Sequence, residues 1–548
     1  MIVKDEEKNL PRALDSVKDL ADEVIVVDTG SRDKTVDVAR SFGAKVYFFE
    51  WCDDFSKARN ESLSHATMDY ILWLDADDEF ERRRSKELKR SLSRYRDCAY
   101  HLVVRLVTPG SVEECLQTRV FPNRDEFRFE GRIHEQVFPS LYRSGLKFKT
   151  LDISITHHGY KDPQEILGKL TRNKRTLELE LAERPKNLFA KVFYARTLVG
   201  LKKGKEAEDI LVQVIESMDE DEFFRVSNFA KIAYFDLLNI LSDQSRIDEM
   251  ERYVKEYDRR FGADFFSDFV KGTIDLFCER YDSAEKNLTS AERRGFSRSS
   301  LPFDIRSVYG RLYAKKAFAL AKLGRIKEAK RYAGFALDKG SKDREIGDLL
   351  ADTFVVLKDA SQLSNIIERF DFDRGRKDYL DGMVHLLEGE IEKALPYLED
   401  SIEKGYRKKN SVLSLSLLYK RLGKLDEAIR VLSEFVESYG DEDSILKELS
   451  LLYLDKSLFD RASSFWQRIK KKSRLENLAF DALKHSLLSE YEAMLQAIFD
   501  LYREVFDGKP FVLEKVLDLN RELSRRGERL ASEFLSRSIN HFVHSSPF

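Results

Sequence analysis

Residues 22–78 read DEVIVVDTGSRDKTVDVARSFGAKVYFFEWCDDFSKARNESLSHATMDYILWLDADD, and the changing period of this stretch decides the fold. Glu23–Asp28 is a short apolar run closed by an acid, Ser31–Phe42 has helical spacing, and Ala44–Phe49 is a second strand candidate. Ser56–Ala66 follows as a second helix and Asp69–Asp75 as a third strand, again closed by an acid. Strands alternating with helices of this length predict βαβ units, and so an α/β domain on a Rossmann-like, mainly parallel sheet. Ligands of such sheets bind beyond the carboxyl ends of the strands. Asp28 and Asp75 stand at two of those ends.

Outward from this stretch the period changes. Past about Asp162 the strand signal stops and amphipathic helices take over. The segments GKEAEDIL, LGRIKEAKRY, EGEIEKALPYL and LGKLDEAIRVL share one form, a turn followed by a small residue on a helix. That small position serves as a ruler. Ala394, Ala428 and Ala462 are spaced by 34 and 34, and the pairs Met250–Ala284 and Ala329–Leu363 by 34 each. Three steps break the period, Ala207–Met250 by 43, Ala284–Ala329 by 45 and Leu363–Ala394 by 31. A 34-residue helix–turn–helix period is the tetratricopeptide signature, and stacking of neighbours supplies the core that one repeat lacks. The expected organisation is an α/β domain over 1–160, a linking helix over 161–185, tetratricopeptide-type repeats over 186–472 and capping helices over 473–548.

With 548 residues, 35% of them charged, and a formal net charge of -3, the chain has no basic field of the kind nucleic acid requires. No apolar run approaches the length of a membrane span. The stretch Met1 to Lys8 is charged and lacks the apolar core of a signal peptide. Cys52, Cys98, Cys115 and Cys278 form no CxxC pair and read as incidental thiols. A cytoplasmic location is the expectation.

Three further segments carry chemistry. Asp75-Ala76-Asp77 sets two carboxylates at i and i+2 as a strand leaves the sheet, with Asp78 beside them. Hard carboxylate oxygens suit a divalent metal. FEGRIHEQV carries His134 and Glu135, and ISITHHGY carries His157 and His158 at the end of another strand. Together with VVDTGS, DDFSKARN and the opening MIVKDEEKNLPRALDSV, these motifs resemble family 2 of the nucleotide-diphospho-sugar glycosyltransferases. The family has the GT-A fold, and the closest likeness is to its subgroup joined to tetratricopeptide repeats, the sublancin S-glycosyltransferase-like enzymes. The likeness covers about the first 185 residues in detail.

The resemblance implies transfer of a hexosyl or N-acetylhexosaminyl group from a nucleoside-diphosphate sugar, UDP-linked by expectation, to a hydroxyl or thiol. Inversion and dependence on Mg²⁺ or Mn²⁺ are implied with it. Asp77 and His157 would hold the metal, with His158 the alternate to His157. Asp28, Gly30, Arg59 and Asp75 would contact the donor, and Glu135 would be the general base with His134 beside it. Lys169, Arg172 and Asn173 match a K-x-x-R-N stretch that touches the diphosphate or packs the domain junction. The helical array would recruit a peptide or protein acceptor or mediate self-association. Some positions depart from the family pattern. KDEE replaces KNEE, GSRD replaces GSTD, and Met68 stands for glycine. The family's first strand begins several residues earlier, so here either that strand is short or the natural start lies upstream of Met1.

Two other functions compete. One is a tetratricopeptide scaffold whose transferase domain binds nucleotide without turnover. Intact Asp75, Asp77, Glu135 and His157 favour the enzyme. The other is a nucleotidyltransferase, which needs a glycine-rich loop after the first strand, and MIVKDEEKNL contains no glycine.

Overall fold

The computed structural model describes residues 1–469 except 109–110, 160–162, 222–223, 225–227, 297–302, 457 and 467. The chain divides into two compact units, one spanning Met1–Leu357 and the other beginning at Lys358. The region expected to hold capping helices, 473–548, lies outside the described residues.

The first unit opens with β1 (Ile2–Val3), α1 (Leu10–Val17), β2 (Ile25–Asp28), α2 (Thr35–Ser41), β3 (Lys45–Phe48) and α3 (Phe55–Ser64). Strands β1, β2 and β3 pair in parallel in that order, as the βαβ spacing requires. Val26 and Val27 are fully buried, so β-branched side chains face protein on both sides of β2. Asp54 caps α3 by accepting from the Lys57 backbone N–H.

A second, five-stranded sheet follows, with β4 (Tyr70–Leu72), β5 (Asp78–Phe80), β6 (Cys98–Thr108), β7 (Ser111–Pro122) and β8 (Lys147–His158) in the order β4-β7-β6-β8-β5. The helices α4 (Ser85–Arg94) and α5 (Phe138–Arg143) connect parts of it. This sheet is mixed. β6 and β8 run parallel, while β4–β7, β6–β7 and β5–β8 are antiparallel. The parallel character read from the sequence thus belongs chiefly to the first three strands. Consecutive β6 and β7 are too closely joined for a crossover and pair as an antiparallel ribbon. The β5–β8 register sets Asp78 opposite His157, which brings the acid-rich turn to the end of β8.

Helices occupy the rest of the first unit, beginning with α6 (Pro163–Glu183), α7 (Leu188–Gly200) and α8 (Gly204–Ser217). The boundary between units falls inside this helical region rather than where the strands end. The reason is visible at two places. Glu114 of β7 and Phe303 exchange backbone hydrogen bonds of 2.9 and 3.1 Å, and α6 and α7 pack against the loop around Gly131, described below.

The ruler has a simple structural meaning. In the first unit, Ala207, Met250, Ala284 and Ala329 are each the fourth residue of a helix, in α8, Ile247–Phe261, Tyr281–Arg294 and Ile326–Asp338. In the second unit, Leu363, Ala394, Ala428 and Ala462 hold the same place in Ala360–Arg369, Ile391–Glu403, Leu425–Tyr439 and Phe459–Trp466. None of the eight is more than 1% exposed. A small or flexible side chain there lets the paired helix approach closely. The partner helix sometimes meets the same demand with glycine. A Cβ on Gly272 would lie 2.6 Å from Leu288 Cγ, and one on Gly382 would lie 2.8 Å from Leu398 Cδ2.

Among the described residues no helix is long and apolar enough to cross a membrane. All four cysteines are free thiols, with Cys98 and Cys115 buried.

Candidate active site

The acid-rich turn between β4 and β5 gathers four groups able to ligate a metal. Asp75, Asp77, Asp78 and His157 each offer one atom, and these atoms all lie within 4.8 Å of one another. His157 Nδ1 is 2.9 Å from Asp78 Oδ1 and 3.3 Å from Asp77 Oδ1. His158 turns instead to Glu79, with Nε2 2.9 Å from Oε2. The alternation of side chains along β8 therefore separates the two histidines.

The four groups differ in what else they do. Asp78 is fully buried. Its Oδ2 accepts from Arg119 at 2.8 Å and from the Asp75 backbone N–H at 2.8 Å. Asp75 Oδ1 accepts from Arg59 at 2.7 Å. Burial works against ionisation of Asp75, but Arg59 and Arg119 overcome it and hold the carboxyl well below the usual range. Among the described residues no arginine pairs with Asp77 in this way. Burial, together with the nearby Asp75, Asp78 and Glu6 carboxylates, pushes it up to about 6 against the opposing pull of His157. Burial likewise resists protonation of His157, yet its hydrogen bond to Asp78 and the charges of Asp77, Asp78 and Asp75 raise its pKa. A cluster of carboxylates with this mutual repulsion gains from a cation. Three carboxylates and one imidazole form an oxygen-rich donor set suited to a divalent ion.

Arg59 joins this cluster to the loop that carries Glu135. It is 6% exposed, donates from Nε to Glu135 Oε1 at 2.5 Å, and lies 4.4 Å from the centre of the Trp73 ring. Arg119 crosses the same ring at 3.7 Å. The arginine is thus no surface ion pair. Its guanidinium ties Asp75 and Glu135 into one unit with charge-assisted hydrogen bonds.

The remaining expected residues are placed differently. Asp28 is 3% exposed, and its carboxylate accepts the backbone N–H groups of Gly30 and Ser31 at 3.1 Å. It shapes the loop after β2, where Gly30 at φ +107° takes a backbone conformation that other residues avoid. His134 is adjacent to Glu135 in sequence, but its ring stacks on Phe193 of α7, centroids 4.1 Å apart. Lys169 lies in the field of Asp75 and Asp77. Arg172 stands over the Phe55 ring at 5.6 Å, and Asn173 is buried on α6. Trp51 and Phe55 pack edge to face with each other.

Sequence reasoning missed Arg119, Trp73 and Glu6. Arg119 had a signal. An arginine inside the strand QTRVFP needs a buried partner, and Asp78 is that partner.

Residues 1–144 match the family described as Glycosyl transferase family 2. These residues are a family 2 glycosyl transferase domain. The chain is similar to a TPR repeat-containing protein of Synechococcus elongatus, 39% identical over 196 residues, covering 34% of this chain and 49% of that protein. The SPbeta prophage-derived glycosyltransferase SunS of Bacillus subtilis is 30% identical over 230 residues, covering 40% of this chain and 52% of that enzyme. An uncharacterized glycosyltransferase of Rickettsia bellii is 40% identical over 89 residues, covering 16% of this chain and 30% of that protein. The chain spans about half the length, or less, of these curated relatives. The helices that follow this domain carry the recurring fourth-residue position, a tetratricopeptide-like array.

Proposed function

We propose that the protein transfers a hexosyl or N-acetylhexosaminyl group from a nucleoside-diphosphate sugar, UDP-linked, to a hydroxyl or thiol with inversion. The observation that carries this reading is the Asp75–Asp77–Asp78–His157 cluster joined through Arg59 to Glu135. Asp77 and His157 hold Mg²⁺ or Mn²⁺, while Asp78, already shared with Arg119, orients His157. When bound, the ion supplies neutralisation of the departing diphosphate. Asp75 and Gly30 contact the donor. Asp28 acts through the loop it shapes, because its carboxylate is taken up by Gly30 and Ser31.

In the reaction the acceptor's O–H or S–H proton passes to Glu135 as its oxygen or sulfur bonds to the anomeric carbon. The bond from that carbon to the diphosphate oxygen breaks, and the nucleoside diphosphate leaves with the electron pair. Arg59 holds Oε1 of Glu135, so we assign the proton to Oε2. His134 supports the Glu135 loop. The helices from about residue 186 present a peptide or protein acceptor.

Glu135→Gln tests the base. A positioned base contributes about 10²–10⁴-fold, so transfer to a hydroxyl acceptor should fall by that factor with donor affinity nearly unchanged. Near-wild-type transfer in that variant would remove Glu135 from the mechanism.

A further inference from the structure

The loop that ends in Glu135 is a closed structure with an unusual backbone. Glu130 and Gln136 exchange two backbone hydrogen bonds of 3.0 Å, which pinches the chain between them. Within the pinch Gly131 has φ +94° and His134 has φ +52°. A non-glycine residue in the left-handed region is strained and persists only where its surroundings hold it.

The surroundings come from two helices that lie beyond the transferase match of residues 1–144. From α6, Glu180 is 3% exposed, and its Oε2 accepts the Arg132 backbone N–H at 3.0 Å. The same helix offers Glu183 to the Arg132 side chain, Nε to Oε2 at 3.1 Å. From α7, Phe193 stacks on the His134 ring with an interplanar angle of 10°. Phe193 is itself fixed from behind, edge to face with Phe229 at 5.7 Å. The loop grips the transferase domain in return, since the Arg132 carbonyl accepts from the Phe55 backbone N–H at 2.8 Å. The His134 ring is neutral in this setting. Burial and the cations Lys169, Arg196 and Arg172 lower its pKa to about 4.

We infer that Phe193 and Glu180 are positioning residues for Glu135, so that the linking helix α6 and the first helix of the array, α7, complete the catalytic loop and the transferase domain does not form its base alone. Each clamps a residue one to three places before Glu135, Phe193 the ring of His134 and Glu180 the backbone of Arg132. The inference rests on the proposed role of Glu135. A displacement of about 1 Å in a catalytic group can cost about 10²-fold in rate, which sets the size of the expected effect.

The test uses the full chain with Mn²⁺ and follows UDP release from UDP-glucose and UDP-N-acetylglucosamine. Phe193→Leu keeps an apolar side chain in the helical core but removes the stack. It should lower turnover by about 10- to 100-fold and leave Mn²⁺–UDP affinity within about 2-fold, while Phe193→Tyr, which keeps the stack, recovers most of the rate. Combined with Glu135→Gln, Phe193→Leu should add less than about 2-fold, because a residue that acts through Glu135 has nothing left to position. Wild-type turnover in Phe193→Leu overturns the proposal. So does a full further loss on the Glu135→Gln background, which would mean that Phe193 acts elsewhere. Full activity of Glu135→Gln alone is a separate failure. It removes the base itself, and the positioning role falls with it.

Discussion

The transferase domain withdraws charge from water at its site, pairing Arg59 with Asp75 and Glu135, and Arg119 with Asp78. The recurring positions of the helical array bury only alanine, methionine or leucine. The first arrangement fixes a unique constellation, because each buried ion is costly unless its partners are in place. The second fixes a spacing, because any small or flexible apolar side chain at the ruler position lets helices stack. A sequence that must hold one site and one that must repeat a contact therefore tolerate different changes.

The largest expected effect breaks the ionic side of this contrast. Arg59→Ala leaves Asp75 and Glu135 without their shared counter-ion, and removal of one partner from a buried ionic cluster costs about 3–5 kcal/mol. Urea unfolding followed by tryptophan fluorescence reads it, and Trp73 beneath Arg59 is a local reporter. A loss below about 1 kcal/mol would show the cluster to be solvated in solution.

Next is the apolar side. Ala394→Leu adds volume at a position that is 0% exposed, and overpacking of this kind costs about 1–3 kcal/mol. Helical circular dichroism during unfolding should shift, whereas binding of UDP with Mn²⁺ should not. An unchanged helical transition would mean that the ruler marks spacing without tight packing.

The smallest effect joins the two regions. His134 has its pKa lowered to about 4 by burial and by Lys169, Arg196 and Arg172. The unfolded chain then binds a proton more readily than the folded one between about pH 6.5 and 4. The resulting stability is present above the unfolded value and is lost as pH falls toward 4, by roughly 1–3 kcal/mol. His134→Phe should flatten that part of the stability–pH curve while keeping an aromatic ring against Phe193. A slope equal to wild type would place the acid sensitivity elsewhere.

The contrast also explains what could be read from residues alone. The βαβ opening was legible because β2 and β3 are apolar runs bounded by turns, and the array was legible because its ruler repeats. The second sheet was harder. The antiparallel return of β7 on β6 is a tertiary choice, and alternation within each strand does not announce its partner. In the site, Asp75, Asp77 and His157 stood out by motif, and the β5–β8 register brings them together. Arg119 was overlooked because it lies mid-strand in a run with no motif, although a charge in such a run demands a buried partner. The part played by α6 and α7 was hidden for another reason. Phe193 is one apolar residue among many on its helix, and only the fold sets it against His134.

The most direct test of a metal-dependent donor site is calorimetric titration of UDP into the full chain, with and without Mn²⁺, for wild type and Asp77→Asn. We expect wild type to bind UDP tightly only with Mn²⁺, and Asp77→Asn to lose that dependence with its helical circular dichroism unchanged. Equal Mn²⁺-dependent affinity in the two proteins would contradict the assignment of Asp77 as the metal-holding carboxylate.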